Sequence, residues 1–206
     1  MTRSRFIKPC SPVLAKALPV GAEWLHEVKF DGYRVQVHKA DNEVVIFSRN
    51  GHDFTARFLP IAIMLAELPA KSAVLDGELV ASDAAGLPDF GALHRRRVAG
   101  SDMMLWLFDL LVLNGRDLRE QPLHKRQARL RVLVRDLDCP AVLASESFDD
   151  GEALMRSAEK YGLEGVVSKR RESLYRSGPC KDWRKVKTAA WREANKERWR
   201  LFGEER

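Results

Sequence analysis

The sequence contains few cysteines, and they are widely spaced. Its 206 residues include three, Cys10, Cys139 and Cys180, without C-x-x-C spacing or a neighbouring histidine. A disulfide framework needs a denser, paired set in a small secreted chain, and a zinc site needs closely spaced ligands. The sequence therefore predicts three reduced thiols, and it favours neither a disulfide scaffold nor a zinc site.

The sequence also lacks long apolar runs, internal repeats, linkers and low-complexity segments. No stretch approaches the roughly 20 apolar residues that a membrane-spanning helix requires. Residues 1–5 are not followed by the apolar segment of a secretion signal. We therefore expect a cytoplasmic protein without membrane association.

The composition is that of an ordinary folded protein. Hydrophobic residues make up 45% of the chain and charged residues 31%, which argues against disorder and allows one large domain or two small ones. The formal charge of +6 and the isoelectric point near 9.4 fit a polyanionic partner, although many basic proteins bind no polyanion.

Hydrophobic periodicity predicts a mixed fold. Strand-like patterns occupy residues 24–48, 74–80, 103–113, 163–169 and 183–187. Helical spacing predicts helices over residues 58–68 and 122–137. A further helix is expected to be capped by Asp149 or Asp150 and to end at Gly162, and the basic tail over 189–206 has helical composition. Strands joined by hairpins, with helices between groups of strands, indicate an α+β class with mostly antiparallel sheets and flanking helices.

The most informative motif runs from Lys29 to Arg34. Asp31-Gly32 between apolar strands predicts a hairpin, with one strand ending at Lys29 and the next opening at Arg34. A lysine that attacks phosphorus needs desolvation and cationic neighbours that lower its pKa. Arg34 is such a neighbour, and it could also bind a phosphate through two parallel hydrogen bonds. Taken alone, a motif of this composition is more often an ordinary hairpin turn with surface charges.

Two further motifs place polar or aromatic groups where a nucleotide needs them. Asp76-Gly77 predicts a second turn, after which the carboxylate of Glu78 would accept from a ribose hydroxyl or hold a metal. Phe108 could present its face to a base, a contact worth about 1–3 kcal/mol, although an aromatic residue in such an apolar run is more often part of the core. Asp109, in the same apolar run, must be paired or hydrogen-bonded if it is buried.

Two late motifs complete the set. Glu164, with Glu78 or a phosphate, forms a plausible magnesium site, because this ion usually takes one or two carboxylates and fills its shell with water and phosphate oxygens. Alternation in a strand places Trp183, Lys185 and Lys187 on one face. Two adjacent ammonium groups repel each other unless an anion lies between them, so this pair predicts a phosphate-binding position.

In this order the motifs resemble the adenylation (nucleotidyltransferase) domain of ATP-dependent DNA ligases, in particular the bacterial ligases of end-joining repair. Residues 27–34, 48–53 and 183–187 carry the resemblance, which covers roughly residues 11–187. It implies an ATP-grasp-like nucleotidyltransferase domain over residues 1–188, followed by the basic helical tail at 189–206. RNA ligases and capping guanylyltransferases belong to the same superfamily.

The resemblance implies a role for each motif residue. Lys29 is expected to attack the α-phosphate of ATP, releasing pyrophosphate and leaving lysyl-AMP. The implied nucleotide contacts are Glu27 at the adenine edge, Arg34 and Arg49 around ribose and phosphate, Glu78 at the ribose, Phe108 stacked on adenine, and Lys185 and Lys187 at the α-phosphate. Glu164, together with Glu78, would hold Mg²⁺ or Mn²⁺.

The expected reaction transfers AMP to the 5′-phosphate of nicked double-stranded DNA, for joining in repair or recombination. Residues 94–97 and the basic tail would hold the DNA backbone, or they are simply solvated charged faces. Only 19 residues follow Lys187, too few for the OB-fold domain of such ligases, so we expect that domain to be absent. A separate DNA-binding or OB-fold helper protein is therefore a candidate partner. Two alternatives stay open, a non-catalytic nucleotide- or DNA-binding module and an RNA ligase or capping-type nucleotidyltransferase.

Overall fold

The computed structural model describes residues 5–81 and 103–195. Within these residues the strands are β1 (Cys10–Leu14), β2 (Trp24–Lys29), β3 (Tyr33–Ala40), β4 (Glu43–Ser48), β5 (Ser72–Ala81), β6 (Met103–Leu113), β7 (Arg116–Asp117), β8 (Val142–Ala144), β9 (Gly165–Arg170) and β10 (Gly178–Lys187). The helices are α1 (Leu59–Ala66), α2 (Leu123–Leu137), α3 (Gly151–Lys160) and α4 (Ala189–Ala194), and a 3₁₀ turn at Ala56–Phe58 precedes α1.

The strands form two sheets. The first has the order β1-β10-β9-β2, and the second has the order β4-β3-β5-β6-β7, with β8 added to β6. Most neighbours are antiparallel, and only the pairs β1–β10 and β6–β8 are parallel among the described strands. The predicted α+β fold with mostly antiparallel sheets is confirmed.

Two apolar clusters position the sheets. The larger one joins the second sheet to α1 and α2, with Ile46, Ile61, Leu75 and Leu130 among its buried residues. The smaller one joins the sheets to each other, because it contains Leu25 and Trp183 from the first sheet and Val74 and Leu111 from the second. The strand ends that carry the polar motifs are thereby brought to one region between the sheets.

The hairpin predicted at Asp31-Gly32 is wrong. β2 ends at Lys29 and β3 begins at Tyr33, but β2 pairs with β9 whereas β3 pairs with β4 and β5. The chain crosses from one sheet to the other between them. Gly32 is required there, because a Cβ at this position would collide with the backbone oxygen of Leu79. An Asp-Gly pair indicates a sharp change of direction, and burial of apolar side chains in both sheets decides which strands pair.

The turn predicted at Asp76-Gly77 is also wrong, since both residues lie inside the continuous strand β5. The β5–β6 register shifts between them, and a Cβ on Gly77 would lie 2.7 Å from the backbone oxygen of Trp106. Glycine inside a strand often marks a bulge or a close backbone approach. Glu78 therefore projects from a strand and not from a loop.

Other local predictions are confirmed. β6 covers residues 103–113 and turns at Asn114 and Gly115, both with positive φ, into β7. Asp150 caps α3 by accepting a hydrogen bond from the amide of Ala153 at 2.8 Å. None of the helices in the described ranges is both long enough and apolar enough to cross a membrane.

Candidate active site

Two cavities meet at Lys29. The first has a volume of about 170 Å³ and the second about 540 Å³, and Lys29, Phe30, Arg34, Arg49 and Glu78 line both. The first cavity also contacts Glu27, Phe108 and Lys185, and the second contacts Glu164 and Lys187. The structure therefore brings every predicted site residue to one of these two adjoining cavities.

Lys29 lies beside a carboxylate that also contacts a second lysine. Lys29 pairs through the backbone register of β2 and β9 with Gly165, the residue that follows Glu164. The Glu164 carboxylate, only 4% exposed, accepts from Lys29 Nζ and lies 3.1 Å from Lys187 Nζ. Gly165, with φ of 155°, permits the close approach of β9 to β10, because a Cβ at this position would collide with the backbone oxygen of Val186. An anion thus links the ends of three adjacent strands.

The predicted lysine pair on β10 has a perturbed electrostatic environment. Desolvation lowers the pKa of Lys185, and the positive charges of Lys29, Lys187 and Arg49 lower it further. Desolvation also lowers the pKa of Lys187, against the opposing effect of Glu164. Lys185 forms no salt bridge within residues 5–81 and 103–195. An anion entering the first cavity would relieve this repulsion.

Arg34 is already engaged by a buried carboxylate. Its Nε and Nη2 donate to the two oxygens of Asp76 at 3.0 and 2.7 Å, and Tyr175 Oη donates to the same carboxylate at 2.5 Å. The Nε–Nη2 edge of the guanidinium is therefore occupied by Asp76, and a phosphate could use only the remaining Nη donors. Arg34 still contributes a fixed positive charge beside both cavities.

Glu78 and Glu164 line the second cavity together. Desolvation raises the pKa of Glu78 to about 7, and the nearby Lys29 and Arg34 oppose this shift. Among the described residues no group of three or more histidine, cysteine, aspartate or glutamate side chains is placed to bind a metal. Two carboxylates beside an open cavity fit an ion that completes its shell with water and phosphate oxygens, as Mg²⁺ usually does.

Glu27 and Phe108 have partners that the sequence did not predict. The buried Glu27 carboxylate accepts from Lys169 Nζ and from Gln127 Nε2, each at 2.7 Å. Lys169 Nζ also lies 4.5 Å from the ring centre of Phe108 and 4.4 Å from that of Trp183. Lys169 could have been found, because in an antiparallel pair a residue two positions along the partner strand shares a face. No local signal marks Gln127, which lies on α2.

Trp191 is a further missed residue of the second cavity. The first turn of α4, capped by Thr188, places the centre of its indole ring 3.5 Å from Lys187 Nζ, with Nε1 3.4 Å from Asp31 Oδ2. The helical start of the predicted tail is therefore present and adjoins the site. The proposed DNA contacts at 94–97 and the tail beyond residue 195 lie outside the described residues.

The class of this domain follows from the fold and the comparisons. Residues 8–187 match the family model described as ATP dependent DNA ligase domain, and the chain belongs to this family. The mycobacterial DNA ligase D complexed with ATP and MES superposes with a TM-score of 0.74 at 31% identity, over 87% of this chain and 60% of that one. The fold is thus the nucleotidyltransferase fold of ATP-dependent ligases, as the motifs predicted.

Two relatives with known names are similar to this chain over most of its length. The chain is 42% identical over 183 residues to the multifunctional non-homologous end joining protein LigD of Pseudomonas aeruginosa, and 33% identical over 204 aligned positions to a DNA ligase of Thermococcus onnurineus. These alignments cover 86% and 87% of this chain but only 22% and 36% of the relatives. The chain corresponds to the adenylation domain within these longer proteins.

Proposed function

We propose that the chain forms a covalent lysyl-AMP intermediate on Lys29 and transfers the AMP to the 5′-phosphate of nicked double-stranded DNA, for joining in repair or recombination. The observation that carries the proposal is the position of Lys29 Nζ, which lies where the two cavities meet and contacts Glu164. Membership of the ATP-dependent ligase family and the names of the relatives support ATP and DNA as substrates.

The nucleoside of ATP would occupy the first cavity. Glu27, Phe108 and Lys185 all line this cavity, and the charge of Lys29 acts on Lys185. In this placement the base contacts Phe108 and Glu27, the ribose is near Glu78, and the α-phosphate faces Lys29 and Lys185. The β- and γ-phosphates extend toward Lys187 and the second cavity, where Arg49 adds positive charge.

The chemical step is a substitution at phosphorus. The Lys29 ammonium first releases a proton to solvent, its lone pair then forms the nitrogen–phosphorus bond with the α-phosphate, and the nitrogen releases a second proton to solvent to give the neutral N–H of lysyl-AMP. The bond from that phosphorus to the bridging oxygen breaks, and pyrophosphate leaves with the electron pair. The surrounding lysines and Arg34 position the phosphates and neutralise their charge, which is the main contribution of protein groups in phosphoryl transfer.

A divalent ion would be held at Glu164 and Glu78. When bound, Mg²⁺ or Mn²⁺ supplies positive charge to the phosphate oxygens. Glu164 contacts Lys29 and Lys187 in this structure, so binding of the ion would require those two ammonium groups to turn from the carboxylate toward the phosphates. The same rearrangement would free Lys29 for attack.

The test is covalent labelling of the purified chain by α-labelled ATP with Mg²⁺. We expect an acid-labile label that is absent from Lys29→Ala and present in the matched control Lys181→Ala, an exposed lysine on β10. Absence of label from the wild-type chain would favour a non-catalytic binding module, and a label from GTP instead would favour a capping-type enzyme.

Chase of the labelled protein with nicked substrates tests the second half of the proposal. Transfer of AMP to nicked DNA and not to nicked RNA is expected. Preferential transfer to RNA would contradict the DNA assignment while leaving the covalent step intact. Transfer without sealing would show that joining requires a separate DNA-binding or OB-fold helper.

A further inference from the structure

Glu27 is held from two directions by residues on different elements. Its side chain and that of Lys169 are each 3% exposed, with Lys169 Nζ 2.7 Å from Oε2. Gln127, buried on α2, donates its amide to Oε1 at 2.7 Å. Each carboxylate oxygen therefore has a fixed hydrogen-bond donor from the protein, which sets the orientation of the carboxylate plane.

The orientation of the Gln127 amide is fixed in turn. Its Nε2 donates to Glu27 and also lies 3.2 Å from the backbone oxygen of Phe108. Its Oε1 accepts from Ser147 Oγ at 3.2 Å. Reversing the amide would place its oxygen against two acceptors, so the network permits only one arrangement.

The same two partners also hold the predicted stacking residue. Gln127 contacts the backbone of Phe108, and the Lys169 ammonium lies 4.5 Å from the centre of the Phe108 ring. Glu27 and Phe108 line one cavity, and in the proposed function they contact the edge and the face of the base. Gln127 and Lys169 therefore fix the edge-reading group relative to the stacking group.

We infer that Gln127 and Lys169 are positioning residues that select a 6-aminopurine by presenting Glu27 to the base as a pure hydrogen-bond acceptor. This inference rests on the proposed function. An ion-paired carboxylate has about four acceptor positions and no donor. The positions left by Lys169 and Gln127 can accept from the exocyclic amine of adenine, whereas they repel the carbonyl oxygen at the same position of guanine.

The test compares nucleotide selectivity rather than activity alone. Adenylation by ATP and nucleotidylation by purine riboside triphosphate, which lacks the 6-amino group, are followed by intact-protein mass spectrometry. The ratio of their kcat/KM values is measured for the wild type and for Gln127→Leu, which keeps the side-chain bulk and removes both donors. We expect the ratio to fall about tenfold, which corresponds to about 1.4 kcal/mol. The KM for ATP should rise, and kcat should change less.

A merely structural role would lower both rates together and leave the ratio unchanged, which would overturn the inference. In the background of Glu27→Gln, the Gln127→Leu change should have no further effect on the ratio, because Gln127 acts through Glu27. Arg129→Ala, on the exposed face of α2, is the matched control and should keep the wild-type ratio.

Two outcomes separate this inference from the proposed function. No labelling of the wild type by ATP contradicts the proposed function itself. Labelling of the wild type with equal use of the two nucleotides overturns only the selectivity inference. If Gln127→Leu shows no cooperative unfolding, Ser147→Ala carries the test, because it removes the hydrogen bond that orients the Gln127 amide. A ratio reduced about threefold is expected there, and an unchanged ratio overturns the inference.

Discussion

Lys29 and Lys187 contact the two oxygens of a single carboxylate, that of Glu164, although they lie on strands β2 and β10, which do not pair with each other. Strand β9 lies between them and begins directly after Glu164. The pairing of β9 with β2 on one side and with β10 on the other therefore places the Glu164 carboxylate between the two lysines. Substitutions at these positions should affect labelling much more than folding.

Lys29→Ala should abolish covalent labelling, because Lys29 is the one lysine among the described residues that lines both cavities. The stability should change by less than about 1 kcal/mol, since Glu164 keeps Lys187 as a partner and Lys29 is partly solvated. Labelling and thermal unfolding measured on the same preparation check both parts. Retained label would mean that another residue is the nucleophile.

Glu164→Gln should reduce the rate of labelling by about 10²- to 10³-fold, a loss typical of removing one electrostatic group from an active site. It should also raise the concentration of Mg²⁺ needed for half-maximal rate. Glu159→Gln, on the exposed side of α3, is the control and should behave as wild type. An unaltered metal requirement in Glu164→Gln would contradict the assignment of Glu164 to the metal.

Glu78 should make the protein less stable as the pH rises. Its pKa is about 7 in the folded state, above the ordinary value of 4.5, so the folded state binds the proton more tightly. Stability from this group is complete below pH 4.5, falls between about 4.5 and 7, and is then constant. Glu78→Gln should therefore stabilise the protein at pH 8 by about 1 to 2 kcal/mol, after allowance for partial solvation, and have little effect at pH 4.

Urea unfolding at the two pH values checks the Glu78 prediction. The difference in unfolding free energy between Glu78→Gln and wild type should grow with pH. An equal difference at pH 4 and pH 8 would show that the carboxyl group does not titrate in this window.

Breaking the Asp109–Arg126 pair by removing one partner should be strongly destabilising. Both side chains are fully buried, with Arg126 Nε and Nη2 donating to the carboxylate at 2.7 and 2.8 Å. Asp109→Ala would leave a buried guanidinium without its counter-ion and should cost about 3 to 5 kcal/mol. Asp117→Ala, which breaks the exposed pair with Arg119, should cost less than about 1 kcal/mol.

Chemical denaturation of the two variants provides the comparison. The double variant Asp109→Leu with Arg126→Met should recover much of the loss, because it removes both charges from the core. Equal small losses for Asp109→Ala and Asp117→Ala would contradict the assignment of the buried pair.

Local features of the site could be read from the sequence because they depend on near neighbours. The alternation of β10 placed Lys185 and Lys187 on one face, and the apolar run containing Asp109 required a partner if buried; both follow from strand geometry and desolvation. The partner of Asp109 was not predictable, since Arg126 belongs to a helix whose other cations are mostly solvated. A charged residue on an amphipathic helix gives no local sign of burial.

The sequence by itself determined most of the strands and helices, the order of the polar motifs and the family to which they belong. Only the tertiary structure decided that β2 pairs with β9 and not with β3, that Arg34 donates hydrogen bonds to Asp76, and that Gln127 donates one to Glu27. These outcomes depend on which apolar faces are buried against each other. The free energy of that burial is a sum over the whole chain, so no local segment determines it. A local pattern indicates which segments are extended or helical, whereas packing of the two sheets decides which strands pair and what each side chain contacts.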